Sequence, residues 1–190
     1  MPQGSAAVIL AAGGSTRLGE PKQLVLLAGE RLLDRTVRVA REAGCTEVVV
    51  VLGAGADAIQ AACRLEGVQV VINPNWREGM GTSLAAGIAH LQGVGSAVIL
   101  TCDQPAVTPE HLRELRNRVE ETGRAVASLY AQRRGVPACV PSSSFGALCE
   151  LTGDTGAREL LKSAATITLP GGELDVDTLD SLAEARRIFG

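Results

Sequence analysis

The sequence predicts a three-layer α/β domain with a mostly parallel sheet. Three observations carry the prediction. Short apolar runs rich in Val and Ile recur along the chain, amphipathic stretches of helical period separate them, and Gly, Pro or Asx residues mark the junctions. Of the 190 residues, 46% are hydrophobic but only 2% are aromatic. The core must therefore be built from Val, Leu, Ile and Ala, which suits a sheet buried on both faces beneath Ala-rich helices. The length is that of one ordinary domain, and no repeat, low-complexity tract or linker divides it, so residues 1–190 are expected to form a single domain.

In chain order, strands are expected at Ala6–Ala12, Glu47–Leu52, Val68–Ile72 and Ala97–Thr101, with a fifth at Ala125–Leu129. Between them, Leu32–Ala43 has helical spacing and ends at Gly44, a natural C-cap. Ala56–Leu65 and Ser83–Leu91 read as further crossover helices. Thr108 before Pro109 and Glu110 predicts a capped helix running to Val119. Thr178 predicts the cap of a last helix reaching Ile188. Gly135, Pro137 and Pro141 interrupt regular structure, so an insertion near the site is expected there, and the serines 142–144 favour a loop followed by a short helix.

Composition also narrows the function. A net charge of −3, with Lys and Arg scattered, gives no electrostatic footprint for nucleic acid or for an anionic membrane. Small-molecule partners are expected instead. Cys45, Cys63, Cys102, Cys139 and Cys149 form neither a CxxC pair nor a zinc-like spacing, which favours a reduced setting. The apolar run at the start is too short to span a bilayer and lacks a basic leader, so a cytoplasmic protein is expected.

The chemistry begins after the first strand, in the stretch LAAGGSTRLGEPKQL from Leu10 to Leu24. Glycines let main-chain N–H groups converge on phosphate oxygens, and Arg17 and Lys22 supply neutralising charge. The loop is neither a Walker A motif nor GxGxxG. Read alone, it leaves open an ordinary strand-to-helix turn with solvated cations. Asp103, in TCDQP, falls at the carboxyl end of the fourth strand, where α/β sheets place their ligands. One or two carboxylates suffice to anchor a hard divalent ion that bridges phosphates. A helix or turn cap is the alternative for Asp103 on position alone. Asp175 and Asp177, in LDVDTLDSL, would lie on one side of an extended segment, or simply stabilise the N-terminus of the last helix.

The string from Leu10 to Leu24 resembles the signature of the nucleotidyltransferases related to the molybdenum-cofactor enzymes, close to LAAGxSxRMGxxK, with Leu18 in place of Met. The segment NPNWREGMGTSLAAGI from Asn73 to Ile88, the CDQP around Asp103, GVPA at Gly135–Ala138 and GDTGAR from Gly153 to Arg158 resemble further motifs of that family, in order along nearly the whole chain. The resemblance implies a Rossmann-like nucleotidyltransferase fold of the GT-A kind. It implies that Leu10, Ala11, Ala12, Gly13, Gly14, Ser15, Lys22, Gly79 and Ser83 contact the nucleotide, and that Arg17 and Lys22 act on the phosphates. It implies that Asp103 holds Mg²⁺ with Asp177 or Asp175, Asp177 being favoured, although Leu179 and Ser181 depart from the family's DIDTPEDL pattern. On the acceptor side it implies Gly135, Pro137 and Arg158. Without the neighbouring motifs, GDTGAR would read as a turn entering a capped helix.

The reaction implied is in-line attack of an acceptor phosphate oxygen on the α-phosphorus of a nucleoside triphosphate, with release of pyrophosphate. CTP is favoured over GTP because the family's cytidine enzymes tend to read LAAG, and the Ala12 methyl narrows the room beside the base. The implied acceptor is molybdopterin, with a sugar or polyol phosphate as the alternative. A molybdoenzyme or its chaperone is the implied transient partner for the finished cofactor. A dinucleotide-binding dehydrogenase would need GxGxxG and an acid ending the second strand, which are not found at Gly53–Gly55. A non-catalytic nucleotide-binding module could dispense with Asp103. His90 and His111 are expected to be surface or packing residues, and Cys102 to pack beneath Asp103.

Overall fold

The structure, a computed structural model, describes residues 4–153 and 158–190. Its centre is β1 (Ser5–Ala11), every residue of which is buried. This strand pairs in parallel with β4 (Glu47–Leu52) on one side and β6 (Ser96–Thr101) on the other. The chain places β5 (Gln69–Ile72) outside β4, and β8 (Arg133–Pro141), β7 (Val126–Tyr130) and β9 (Ala165–Thr168) successively outside β6. Only β8 runs against the others in this seven-stranded sheet.

Period two along the strands divides the core into two layers. Ala7, Ile9 and Ala11 of β1 face the same cluster as Leu33 and Val37 of α1 (Leu32–Glu42), Ile59 of α2 (Ala56–Ala62) and Leu112 and Leu115 of α4 (Pro109–Thr122). Val8, Leu10 and Ala12 face the opposite layer, with Leu84 and Ile88 of α3 (Met80–Ala89) and Leu148 of α5 (Phe145–Cys149). A strand buried on both sides has no polar face, which explains the near-continuous apolar run of β1.

A third, smaller cluster lies beside the first βα connection. There Leu18, Val25, Leu27 and Leu32 pack with Val176 and with Leu182 and Ala185 of α7 (Leu179–Phe189). The small hairpin β2 (Leu26–Leu27) and β3 (Glu30–Arg31) forms part of it, turning through Ala28 and Gly29, both at positive φ. The last helix is thus seated against the segment that follows the glycine loop. Thr178 caps it in a capping box with Ser181.

The expected strands and helices are present, with bounds shifted by a few residues. The region from Gly135 to Pro141 departs from expectation, because it belongs to the long strand β8 rather than to an insertion. Pro137 is tolerated because pairing with β6 starts only at Ala138, and the register against β7 jumps from Ala138 to Gly135, leaving Val136 and Pro137 in a bulge. The pairing of β9 with β7 and the β2–β3 hairpin add to the expected elements. After β8, the expected loop and short helix appear as a 3-10 turn at Ser142–Ser144 leading into α5. The helix α6 (Arg158–Leu161) precedes β9.

The helix α3 approaches the sheet through Gly87. A Cβ there would lie 2.5 Å from Val8 Cγ1 and 2.9 Å from Val51 Cγ2. Gly87→Ala should therefore destabilise the fold by about 1–3 kcal/mol despite the better helix propensity of Ala, measured as a lower urea midpoint at unchanged m value.

Candidate active site

The sheet reverses its winding between β1 and β6, and α/β sheets bind ligands outside the carboxyl ends of strands at such a point. Leu10 is level with Thr101, so the residues following the two strands face one another. Asp103 lies just past β6 and is largely buried. Its backbone carbonyl accepts from Val176 N–H at 2.8 Å, which straps the segment before α7 across the strand end and delivers Asp177.

Lys22 completes the cluster. Its Nζ donates to Asp103 Oδ2 and to Asp177 Oδ1, each at 2.6 Å. Burial alone would lower the pKa of this ammonium, but the charges and hydrogen bonds of Asp103 and Asp177 outweigh burial and hold it above the ordinary lysine range. Arg17 reaches Asp177 Oδ2 at 3.6 Å from an exposed position. Asp177 N–H donates to the Asp175 carbonyl at 3.0 Å, so the two acids flank a tight turn instead of sharing one side of an extended segment. The Asp175 carboxyl titrates at about 6, raised first by burial and then by the charges of Asp103 and Asp177.

The glycine loop is held from several directions. Ser15 Oγ accepts from Lys22 N–H at 2.8 Å, and the carbonyl of Ala12 accepts from Ala54 N–H at 3.0 Å. Beneath the loop, Gln23 is fully buried, and its Nε2 donates to the carbonyls of Ala11 at 2.6 Å and Gly13 at 3.3 Å. Gly14 and Gly53 leave room for Trp76: a Cβ on Gly14 would lie 3.2 Å from the indole, and one on Gly53 would lie 2.6 Å from it and 2.8 Å from the Ala12 carbonyl. Asn73 Nδ2 donates to the hydroxyls of Thr82 and Ser83, both at 2.9 Å, while its Oδ1 accepts from Asn75 N–H at 2.9 Å. The first residues of the NPNW segment therefore fold the entry to α3.

These walls enclose a cleft of about 520 Å³, within the range of small-molecule sites. Leu10, Ala11, Ala12, Gly13, Lys22, Gly79, Ser83 and Asp103 line it. Gln23, Trp76, Arg77, Met80 and Thr101 line it too. Of these, Gln23, Arg77 and Thr101 carried no sequence signal, since a polar residue beside a motif looks like any surface residue. Gly14 and Ser15 continue the loop, and Arg17 and Asp177 adjoin Lys22.

The acceptor-side motifs are placed less directly. A Cβ on Gly135 would collide with the Tyr130 hydroxyl, which donates to the Val136 carbonyl at 2.9 Å. The carbonyl of Pro137 accepts from Ser128 Oγ at 2.5 Å. Gly135 thus leaves room for Tyr130, whose oxygen accepts from Gln104 Nε2 at 3.3 Å, one residue from Asp103, while Pro137 is tied to Ser128. Residues 154–157 of GDTGAR lie outside the described residues, as does the side chain of Arg158, which opens α6.

His111 is buried against Ser128 Oγ at 2.7 Å, and Cys102 packs under Asp103 with its thiol pushed up to about 12, chiefly by burial. Both expectations about these residues hold. Among the described residues no helix is long and apolar enough to cross a membrane, and no group of three or more His, Cys, Asp and Glu side chains could hold a metal ion. The donor set that remains, Asp103 with Asp177, is one of hard oxygens already converging on a single cation, Lys22 Nζ, and it fits Mg²⁺ or Mn²⁺ with phosphate and water completing the shell.

The raised pKa of Asp175 makes a prediction about stability. The folded protein holds this proton more tightly than the unfolded chain, where Asp titrates near 3.8. The penalty for ionising Asp175 is therefore absent below about pH 4, grows up to about pH 6 and is fully present above. Asp175→Asn should raise Tm at pH 7.5 by about 2–4 °C and leave it unchanged at pH 3.5, as read by calorimetry at both values.

Comparison with known proteins identifies the family and the fold. The MobA-like NTP transferase domain matches residues 7–167. A nicotine blue oxidoreductase of Paenarthrobacter nicotinovorans is 34% identical over 164 residues, which cover 82% of this chain and 80% of that one. The bifunctional protein GlmU of Sorangium cellulosum is 35% identical over 136 residues, or 66% of this chain but only 28% of that longer protein. The crystal structure of Rv0371c from Mycobacterium tuberculosis superposes with a TM-score of 0.85 at 32% identity, covering 98% of this chain and 100% of that one. Rv0371c in complex with manganese superposes at 0.79 with 30% identity, covering 97% and 99%. The chain belongs to the MobA-like NTP transferase family of nucleotidyltransferases.

Proposed function

We propose that this protein transfers CMP from CTP to the phosphate of molybdopterin, releasing pyrophosphate. One observation carries the reading: a lysine from the glycine loop is clamped between two carboxylates at the end of the central strands, beside a cleft roofed by that loop. This arrangement suits a substrate with dense negative charge and a metal to go with it.

Asp103 and Asp177 would hold the Mg²⁺, or Mn²⁺ as in the solved complex of Rv0371c. When bound, the ion supplies positive charge that neutralises the phosphate oxygens at the reacting phosphorus. The chain's own residues do the rest. Loop N–H groups from Ala12 to Ser15 orient the triphosphate, and Ser83 and Gly79 line the nucleoside side. The Ala12 methyl lies on the same layer of the core as Trp76, where it narrows the base pocket in favour of a pyrimidine. Lys22 exchanges its carboxylate partners for the departing pyrophosphate, and Arg17, already exposed beside Asp177, joins it there.

The acceptor phosphate oxygen forms the new bond to the α-phosphorus as the bond from that phosphorus to the bridging oxygen breaks, and pyrophosphate carries away the electron pair. The nucleophile is already ionised near neutral pH, so no general base is needed, and catalysis is positioning plus charge stabilisation. Arg158 with the Gly135–Pro137 segment would face the acceptor. We place the protein in the cytoplasm, where a molybdoenzyme or its chaperone would receive the product.

A second reading, an oxidoreductase, is favoured by the name of the Paenarthrobacter relative. Pyrophosphate release decides between the two. With Mg²⁺ and molybdopterin, release is expected with CTP and much less with GTP, ATP or UTP. Preference for GTP would overturn the base assignment, and release only with a sugar or polyol phosphate would overturn the acceptor. No release with any acceptor, together with nicotinamide-dependent reduction of a dye, would establish the oxidoreductase. Asp103→Asn should lower turnover by about 10³-fold with an unchanged circular dichroism spectrum. Normal pyrophosphate release by this variant would remove Asp103 from the metal site.

A further inference from the structure

Gln23 is fully buried, yet it lies against the cleft and spends both its hydrogen bonds on the glycine loop. Its Nε2 reaches the carbonyls of Ala11 and Gly13, while its Oε1 is buried without a partner among the described residues. The amide cannot profitably turn over, because Oε1 would then face two carbonyl oxygens. A residue that only filled core volume would leave no orphaned oxygen there, so the two bonds to the loop are what this amide contributes.

The consequence for the loop follows from peptide geometry. In a planar trans peptide the C=O and the next N–H point in opposite directions. Gln23 draws the Gly13 carbonyl inward, and the Gly14 N–H is therefore turned outward, on the solvent-facing side of a loop whose Gly13 is exposed. Likewise Ala54 N–H holds the Ala12 carbonyl toward the β4 side, which turns the Gly13 N–H toward the β6 side, where Asp103 and Lys22 stand. Two successive donors are thereby aimed at the space that a polyphosphate would fill.

We propose that Gln23 is the positioning residue of the phosphate cradle: its buried amide fixes the loop carbonyls so that the loop N–H groups are presented to the triphosphate before it binds. The proposal rests on the nucleotidyltransferase reading. It identifies the polyphosphate portion of the substrate, rather than the base or the acceptor, as what Gln23 serves.

The test is the ratio of affinities for a nucleoside triphosphate and its monophosphate, measured by calorimetry with Mg²⁺ on the full chain, using whichever of the four triphosphates binds best. Gln23→Leu, similar in volume but unable to donate, should lower this ratio about tenfold while monophosphate affinity stays within twofold. Gln23→Glu supplies a variant whose donor can be restored. Its carboxylate has no proton to give the loop, whereas its neutral acid can donate one bond, so the ratio should recover as the pH is lowered, opposite to the wild-type trend. A ratio unchanged in Gln23→Leu, or triphosphate and monophosphate affinities falling together in both variants, would overturn the proposal and leave the function standing. A wild-type protein that binds no triphosphate would overturn the nucleotidyltransferase reading, and the proposal with it.

Discussion

The site depends on one cluster of charge, the Lys22 ammonium bridging Asp103 and Asp177. It joins segments 81 and 155 residues apart in sequence. Two carboxylates cannot share so small and sheltered a volume without a cation between them. Removing the lysine would leave a repulsion whose cost, for buried partners, is on the order of 3–5 kcal/mol, and less here because Asp177 is about one-third exposed. The same requirement makes the place attractive to a divalent ion. Under the proposed function, a cation held by the protein itself would keep the acids together until substrate and metal arrive.

Each member of the cluster reaches its place by a different route. Asp103 is fixed by the sheet, because β6 ends level with β1. Lys22 is fixed by the loop, through Ser15 and its neighbour Gln23. Asp177 is fixed by neither. It is brought in by the Val176 bond to Asp103 and by the apolar cluster that seats α7 on Leu18, Val25 and Leu27. That third cluster has no part in the main sheet core. Its packing holds the C-terminal helix in the register that the carboxylate needs, so the last residues of the chain belong to the site as much as the first strand does.

The parts that were legible in the sequence are those whose physics is local. The runs of β1, β4 and β6 are apolar over their whole length because both faces are buried, and Thr108 and Thr178 announce helices because a cap satisfies its own N–H groups. The glycine loop, Asp103 and the Ser83 segment were readable as ordered motifs of one family, and the cleft brings Gly13, Lys22, Ser83 and Asp103 to one place. What stayed hidden depends on contacts across the chain. The strand at Arg133–Pro141 carries two prolines and a glycine, and only its neighbours β6 and β7 show that a bulge accommodates them. The turn between Asp175 and Asp177 could not be told from an extended segment, and Gln23 gave no sign that it lies wholly under the loop.

The surroundings of the cleft also constrain how any reaction can proceed. A general base would be sought first among His and Cys. His111 is tied to Ser128 with its pKa lowered by burial, and the Cys102 thiol is held far above neutrality by its surroundings. The Asp175 carboxyl is raised to about 6, first by burial and then by the charges of Asp103 and Asp177, and the strap it belongs to lies beside the charge cluster. A hydroxyl nucleophile would need a proton removed by one of these groups. A phosphate oxygen needs none, which is why the proposed acceptor phosphate would suit a site built from an ammonium and an exposed guanidinium.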